Sequence, residues 1–164
     1  MAKLRDAGRH IAGRCADLGL FVRAYIRVGH VDLRLRAYGF QGVMQRVERR
    51  IVSEGTTVHA RDVRRARRYA RRIETAARLH FVRARCLHRS LALHEWLREE
   101  GLPSELRIGV RKQGGELKAH AWVELGQHVV TEAAVIGFAP LGRAAIEGDA
   151  SDSGLRWACQ PVDR

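Results

Sequence analysis

The first half of the chain carries its apolar residues at helical spacing. Positions 11–26 hold apolar side chains three and four residues apart, and a second such set runs from 43 to 51. Gly39 and Gly42 loosen the segment just before this second set. Residues 61–79 keep the helical period, with arginines between the apolar positions. The pattern therefore predicts a helical first part that ends in a strongly basic helix.

The pattern changes after residue 85. The apolar positions of 86–100 predict one more helix, and Gly101 followed by Pro103 predicts where it ends. Apolar and polar residues then alternate over 106–110 and 117–125, which is typical of half-buried strands. A glycine pair between the two runs predicts a hairpin turn. Helices followed by antiparallel strands indicate an α+β fold.

Composition separates the chain into two contrasting parts. Its 164 residues are 46% hydrophobic, enough for one compact core with a helical extension. Lys and Arg number 30 against 18 Asp and Glu, a formal net charge of +12. Residues 1–85 hold 21 basic and 7 acidic side chains, whereas residues 86–164 hold 9 and 11. We therefore predict a basic helical N-terminal region, 1–80, and a core, 81–164.

Targeting and disulfide signals are weak. Arg23 and Arg27 interrupt the best apolar stretch, so neither a signal peptide nor a membrane span is predicted. The three cysteines, Cys15, Cys86 and Cys159, are widely spaced and form no CxxC pair. This spacing indicates neither a disulfide framework nor a zinc knuckle. A reducing cytoplasm is the expected location.

Three residues suited to nucleophilic catalysis follow one another along the predicted helix and strands. Cys86 opens the helix, where unpaired N–H groups and the helix dipole favour a thiolate. His120 lies on the second strand and can accept or return a proton. Glu132 ends a third strand, predicted over 129–132, where a carboxylate can orient the imidazole. His120 and Glu132 share a sheet face if the turn after Leu125 takes three residues, and lie on opposite faces if it takes two.

Three runs of sequence make this pattern more specific. Residues 86–93 read CLHRSLAL, residues 101–111 read GLPSELRIGVR and residues 120–124 read HAWVE. Over residues 86–141 the chain resembles the transglutaminase-like leader peptidases of lasso-peptide biosynthesis. The resemblance implies a transglutaminase-like or papain-like cysteine peptidase core, in which the nucleophile helix packs on a small antiparallel sheet.

The resemblance also implies roles for individual residues. Cys86 is the expected nucleophile and His120 the general base, since both match the family motif. The family usually has an Asp, commonly after Asn, where this chain has Glu132. Either Glu132 substitutes for that Asp, which we favour, or another group such as Asp149 or Asp152 takes the third role.

The implied activity is removal of the leader from a lasso-peptide precursor, a ribosomally synthesised peptide, without a metal or cofactor. The expected partners are the precursor peptide, a separate leader-recognition protein and an ATP-dependent lasso cyclase. Some family members carry the recognition domain fused at the N-terminus, but that domain contains strands and residues 1–85 are predicted to be helical. Trp122 is a candidate substrate-binding residue, although packing beside the site is the favoured interpretation of its role.

Two other functions stay open. A transglutaminase or amidase acting on side-chain amides would use the same Cys and His. A basic adaptor without catalysis would use the arginines of 61–72 to bind nucleic acid or an acidic partner. No nucleic-acid docking motif accompanies those arginines, so nucleic acid is not an expected partner.

Overall fold

The structure, a computed structural model, describes residues 2–48, 57–131 and 135–141, and their side chains except those of 2–16 and 48. Three helices are followed by four short or medium strands within these ranges. The elements are α1 (Ala2–Glu48), α2 (Ala60–Leu79), α3 (Cys86–Glu99), β1 (Ser104–Gln113), β2 (Glu116–Leu125), β3 (His128–Val129) and β4 (Ala139–Pro140). The predicted α+β class is confirmed.

The two N-terminal helices follow the apolar pattern. Helix α1 is interrupted at Gly39, whose φ of 65° and ψ of 179° are not helical, so the predicted loosening occurs there. Helix α2 matches the predicted basic helix of 61–79 to within one residue. It buries the stripe that includes Val63, Ala66 and Ile73, while most of its arginines stay exposed.

Helix α3 begins and ends as predicted. Cys86 is its first residue, and Gly101 just beyond its end adopts a φ of 74°. The Leu102 amide donates to the Leu97 carbonyl across this end, at 2.9 Å. A glycine accepts the left-handed conformation without the clash that a side chain would cause, which explains why the helix stops there.

The sheet is antiparallel in the order β3-β2-β1-β4. Strands β1 and β2 pair along their whole length, from Ser104 opposite Leu125 to Gln113 opposite Glu116. The predicted glycine turn joins them, and both Gly114 and Gly115 have positive φ. Strand β4 extends the sheet on the other side of β1 and was not predicted from the sequence.

The turn after β2 takes the shorter of the two lengths that the sequence left open. Leu125 pairs with His128, so only two residues form the turn, and Gly126 supplies the positive φ that such a turn needs. Strand β3 covers His128–Val129, whereas the predicted third strand ran over 129–132. The three-residue turn, which was the condition for His120 and Glu132 to share a sheet face, is not formed. Glu132 itself lies outside the described residues.

One core joins the three helices to the sheet. Its buried side chains include Val28 of α1, Ile73 of α2, Leu97 of α3 and Val123 of β2. Within it, Trp96 is fully buried. The helical N-terminal region therefore packs directly against the helix that begins with Cys86.

Trp96 and its surroundings join all three helices. Its ring stacks on Tyr69 of α2 with the centroids 4.3 Å apart. The guanidinium groups of Arg23 and Arg27, from α1, lie 5.0 and 5.1 Å from the Trp96 ring. Such cation–π contacts favour Arg where a charged group must lie against an apolar surface.

Several arginines of the N-terminal helices pair with acids of the third helix and its end. Arg34 reaches Glu95 and Arg27 reaches Glu99, while Arg65 of α2 lies 2.9 Å from Glu100. The excess positive charge of residues 1–85 is thus partly offset by contact with the more acidic second part. Among the described residues, no helix is both long and apolar enough to cross a membrane.

His94 makes the stability of this core depend on pH. The side chain is 5% exposed, and its Nδ1 lies 3.0 Å from the Ser104 hydroxyl. Burial, with a smaller contribution from the Arg98 charge, lowers the pKa of His94 to about 4. The unfolded chain therefore binds this proton at a higher pH than the folded chain does.

We predict that this imidazole destabilises the fold as the pH falls from 6.5 toward 4. The full loss is about 3 kcal/mol, from a pKa difference of roughly 2.5 units at about 1.4 kcal/mol per unit. His94→Asn can keep a polar contact with Ser104 but cannot titrate, so its free energy of unfolding should fall less with acid. Urea titrations at several pH values measure how the free energy of unfolding changes with pH in wild type and in His94→Asn. An equal dependence on pH in the two proteins would contradict the prediction.

Candidate active site

Cys86 occupies the position that the sequence predicted, at the N-terminus of α3. Its side chain is 3% exposed and packs with Ile108 of β1 and Ala121 of β2. The first N–H groups of a helix have no intrahelical acceptor and point toward any group held there. The preceding Arg85 provides no side-chain cap. This is a position where a thiolate or an oxyanion gains stabilisation from the backbone.

The other two cysteines, Cys15 and Cys159, have side chains outside the described residues. The expectation that the cysteines form no disulfide framework therefore stays a prediction. Nucleophilic attack by Cys86 requires the thiolate form of its side chain.

His120 lines the same cavity as Cys86. The cavity has a volume of about 290 Å³ and lies between α2, α3 and β2. Its lining residues are Ala70, Ile73, Glu74, Arg78, Cys86, Arg89, Ser90, Leu93, His120, Ala121 and Thr131. The structure thus brings together the two residues that the sequence singled out first.

Backbone packing fixes where these two residues meet. Ser90, one turn after Cys86, donates its hydroxyl to the carbonyl of Ala121 at 2.8 Å, and this contact is buried. Ala121 directly follows His120 in β2. The hydrogen bond therefore ties the first turns of α3 to the strand at the point where the imidazole leaves it.

Two aromatic rings hold the His120 imidazole. The Trp122 ring is nearly parallel to it at 6.4 Å between centroids, and the Phe138 ring lies 5.2 Å away at a tilt of 38°. Phe138 precedes β4 and was not identified as a site residue from the sequence. The Nε2 atom of His120 is buried and accepts or donates no hydrogen bond among the described residues.

The Trp122 indole packs at the site. It is 5% exposed, and its Nε1 donates to the Glu124 carboxylate at 2.8 Å. The same carboxylate accepts from Arg107 Nε at 3.1 Å. This burial fits the packing interpretation, and contact with substrate stays a prediction.

Gly109 leaves the space that the indole fills. A Cβ built on Gly109 would lie 2.8 Å from a ring carbon of Trp122 and 2.9 Å from the Ala139 carbonyl oxygen. Gly109 also pairs with His120 in the sheet. The absence of a side chain at this position lets both the indole and β4 approach the strand beside the imidazole.

Positive charge and burial both act on His120. Burial lowers the pKa of His120 below its ordinary value of 6.5, and the Arg89 and Arg111 charges lower that pKa further. Arg111 reaches the site over the ring of Phe138, with its guanidinium carbon 4.6 Å from the centroid. The imidazole is consequently neutral near pH 7, which is the form that accepts a proton.

Glu74 and Arg89 form an ion pair in the cavity wall. Arg89 Nη1 lies 2.7 Å from Glu74 Oε1, and Arg78 Nε lies 3.4 Å from the same oxygen. Neither residue of this pair was predicted from the sequence to belong to the site. Arg89 belongs to the CLHRSLAL run and so carried a signal, whereas nothing in the sequence marks Glu74.

The third member of the predicted triad is not placed. Glu132, Asp149 and Asp152 all lie outside the described residues. His120 and Glu132 share a sheet face only if the turn after Leu125 takes three residues, so the observed two-residue turn removes the support for pairing them. Thr131 is described: it lines the cavity, and its Oγ1 is buried with no partner among the described residues. The role of Glu132 stays a prediction.

No metal centre is apparent in the part of the chain that the structure describes. Within it, no group of three or more His, Cys, Asp or Glu side chains is placed to hold a metal ion. The chemistry that these residues offer is nucleophilic attack by a thiolate, with an imidazole as proton carrier.

Comparison with known proteins identifies one family. Residues 28–143 match the Transglutaminase-like superfamily, so the match covers most of the chain and includes both Cys86 and His120. No match was found among curated proteins or among solved structures.

Proposed function

Because the chain belongs to the transglutaminase-like superfamily, which includes cysteine peptidases and amidases, we propose that it is a cysteine peptidase acting on a lasso-peptide precursor. Its reaction would release the leader from the core peptide. The observation that carries the proposal is the shared cavity of Cys86, at a helix N-terminus, and His120, on the adjoining strand.

The proposed reaction needs only the residues of this cavity and water. The neutral imidazole of His120 takes the Cys86 proton, and the thiolate attacks the carbonyl carbon of the last leader residue. The imidazolium returns its proton to the amine of the core peptide as the C–N bond breaks. Water then attacks the thioester, with His120 as base, and frees the leader carboxylate and the thiol.

The helix N-terminus provides a candidate hydrogen-bond donor to the negative charge that develops on the carbonyl oxygen. The Cys86 N–H lies where a helix offers unpaired amide groups, which stabilise an oxyanion formed during attack. The surrounding cavity is lined partly by apolar side chains, including Ile73 and Leu93. Exclusion of water strengthens such electrostatic interactions in the transition state.

The choice of substrate rests on the sequence runs and not on the cavity. The runs at 86–93, 101–111 and 120–124 resemble those of leader peptidases in lasso-peptide biosynthesis. On this basis the proposed partners are the precursor peptide, a separate leader-recognition protein and an ATP-dependent lasso cyclase. No metal or cofactor enters the proposed chemistry.

The central test measures leader release from the precursor. Reduced protein, the precursor and the leader-recognition protein are mixed, and products are followed by mass spectrometry. We expect Cys86→Ala and His120→Ala each to lower the release rate by about 10⁴-fold or more, because each removes a reacting group. Glu132→Ala should weaken release less, since a third group orients the imidazole without bonding to the substrate.

Matched variants separate chemistry from damage to the fold. Cys15→Ala, Cys159→Ala and His128→Ala remove the same side-chain types elsewhere and should keep most of the activity. Full activity of Cys86→Ala would refute the nucleophile assignment. If wild type leaves the peptide bond intact but releases ammonia from side-chain amides, with Cys86 required, the amidase alternative replaces the peptidase.

A further inference from the structure

The wall of the cavity beside Cys86 and His120 carries a linked set of charges. Glu74 projects from α2 and accepts from Arg89 of α3 at 2.7 Å. Arg78, one turn further along α2, reaches the same oxygen at 3.4 Å. The cavity thus receives two guanidinium groups and one carboxylate from its helical side.

Arg89 is placed to act on the reacting residues. It follows Cys86 by three positions, so the two side chains lie on neighbouring parts of one helix face. The Arg89 and Glu74 side chains are 18% and 19% exposed. Because both are largely withdrawn from water, their charges are screened less than those of surface residues.

His120 has charged groups on more than one side. Arg89 and Glu74 face it from the helices through the shared cavity, and Arg111 of β1 reaches it over Phe138. Along β2, alternation puts Lys118 and Glu124 on its face, and Glu124 is bound by Trp122 and Arg107. Among the described residues, the Arg78 guanidinium and the titratable thiol of Cys86 also line the cavity.

These contacts allow the Arg89–Glu74 ion pair to influence the protonation of the neighbouring His120 imidazole. A fixed positive charge disfavours a second positive charge nearby, so a guanidinium beside the cavity opposes formation of imidazolium. The carboxylate that anchors the guanidinium both holds it in place and offsets part of its charge. The Arg89 charge therefore lowers the pKa of His120, whereas the Glu74 charge raises it.

We propose that Arg89, anchored by Glu74, is a positioning residue of the peptidase reaction, which keeps the His120 imidazole neutral and ready to take the thiol proton. The inference rests on the proposed function for its catalytic meaning, since it assigns a task within that same site. Arg89 acts through His120 and is not itself a reacting group. Loss of Arg89 should leave catalysis possible but confine it to a higher pH range.

Titration of His120 provides the direct test. Reduced protein with isotope-labelled imidazoles is titrated by NMR, and the His120 signal is assigned by its loss in His120→Ala. In Arg89→Gln the pKa of His120 should rise, because a lowering charge is removed. In Glu74→Gln that pKa should fall, because the Arg89 charge is no longer offset.

Two sets of variants distinguish this task from a structural one. Arg89→Lys keeps the charge and should restore the titration midpoint toward wild type, whereas a purely structural role would make Lys and Gln behave alike. Arg68→Gln and Asp17→Asn make the equivalent changes in an exposed pair between α2 and α1, where the side chains are 2.7 Å apart. Both should leave the His120 midpoint where it is in wild type.

The leader-release assay supplies a second readout. The acid side of the rate–pH profile should move to higher pH in Arg89→Gln and to lower pH in Glu74→Gln, matching the NMR midpoints. The proposal for Arg89 is overturned if the His120 midpoint moves in the same direction in both variants, or if it moves in neither variant. This holds whatever the release assay shows. Opposite shifts in a protein that never cuts a precursor would count against the proposed function and not against the electrostatic role of Arg89.

Discussion

The site depends on how the first turns of α3 are attached to β2. The buried hydrogen bond from Ser90 to the Ala121 carbonyl sets the height of the helix above the strand. Cys86 lies one turn before this contact and His120 one residue before it, so both sides of the cavity are fixed by the same attachment. The core behind it, centred on Trp96, resists sliding of the helix because the three helices meet there.

Much of the fold could be predicted because its central elements each carry their own start and stop signals. Helix α3 has an apolar stripe and ends at Gly101, and the β1–β2 hairpin has two alternating runs around a glycine pair. The turn at Gly126 could not be settled, because a glycine there suits a turn of either length. Strand β4 escaped prediction because two residues, one of them Pro140, show no alternation.

The candidate site was predictable only where local sequence determines it. Cys86 and His120 stand at positions that periodicity alone assigns to a helix start and a strand. Glu74 joins the cavity through the way α2 lies across α3, which depends on packing between elements distant in sequence. The acidic partners of the N-terminal arginines could not be predicted for the same reason. A basic helix is expected to face solvent unless the acidic residues that pack against it are known.

The packing beside the His120 imidazole depends on the lack of a Cβ atom at Gly109. The strand position facing His120 has no tolerance even for a methyl group, since the indole and a neighbouring carbonyl already occupy that volume. Replacement by the next larger residue would force either the ring or the short outer strand to shift. Changes to the shape of the cavity should therefore begin on its helical side, because a larger residue at position 109 would disturb the packing beside His120.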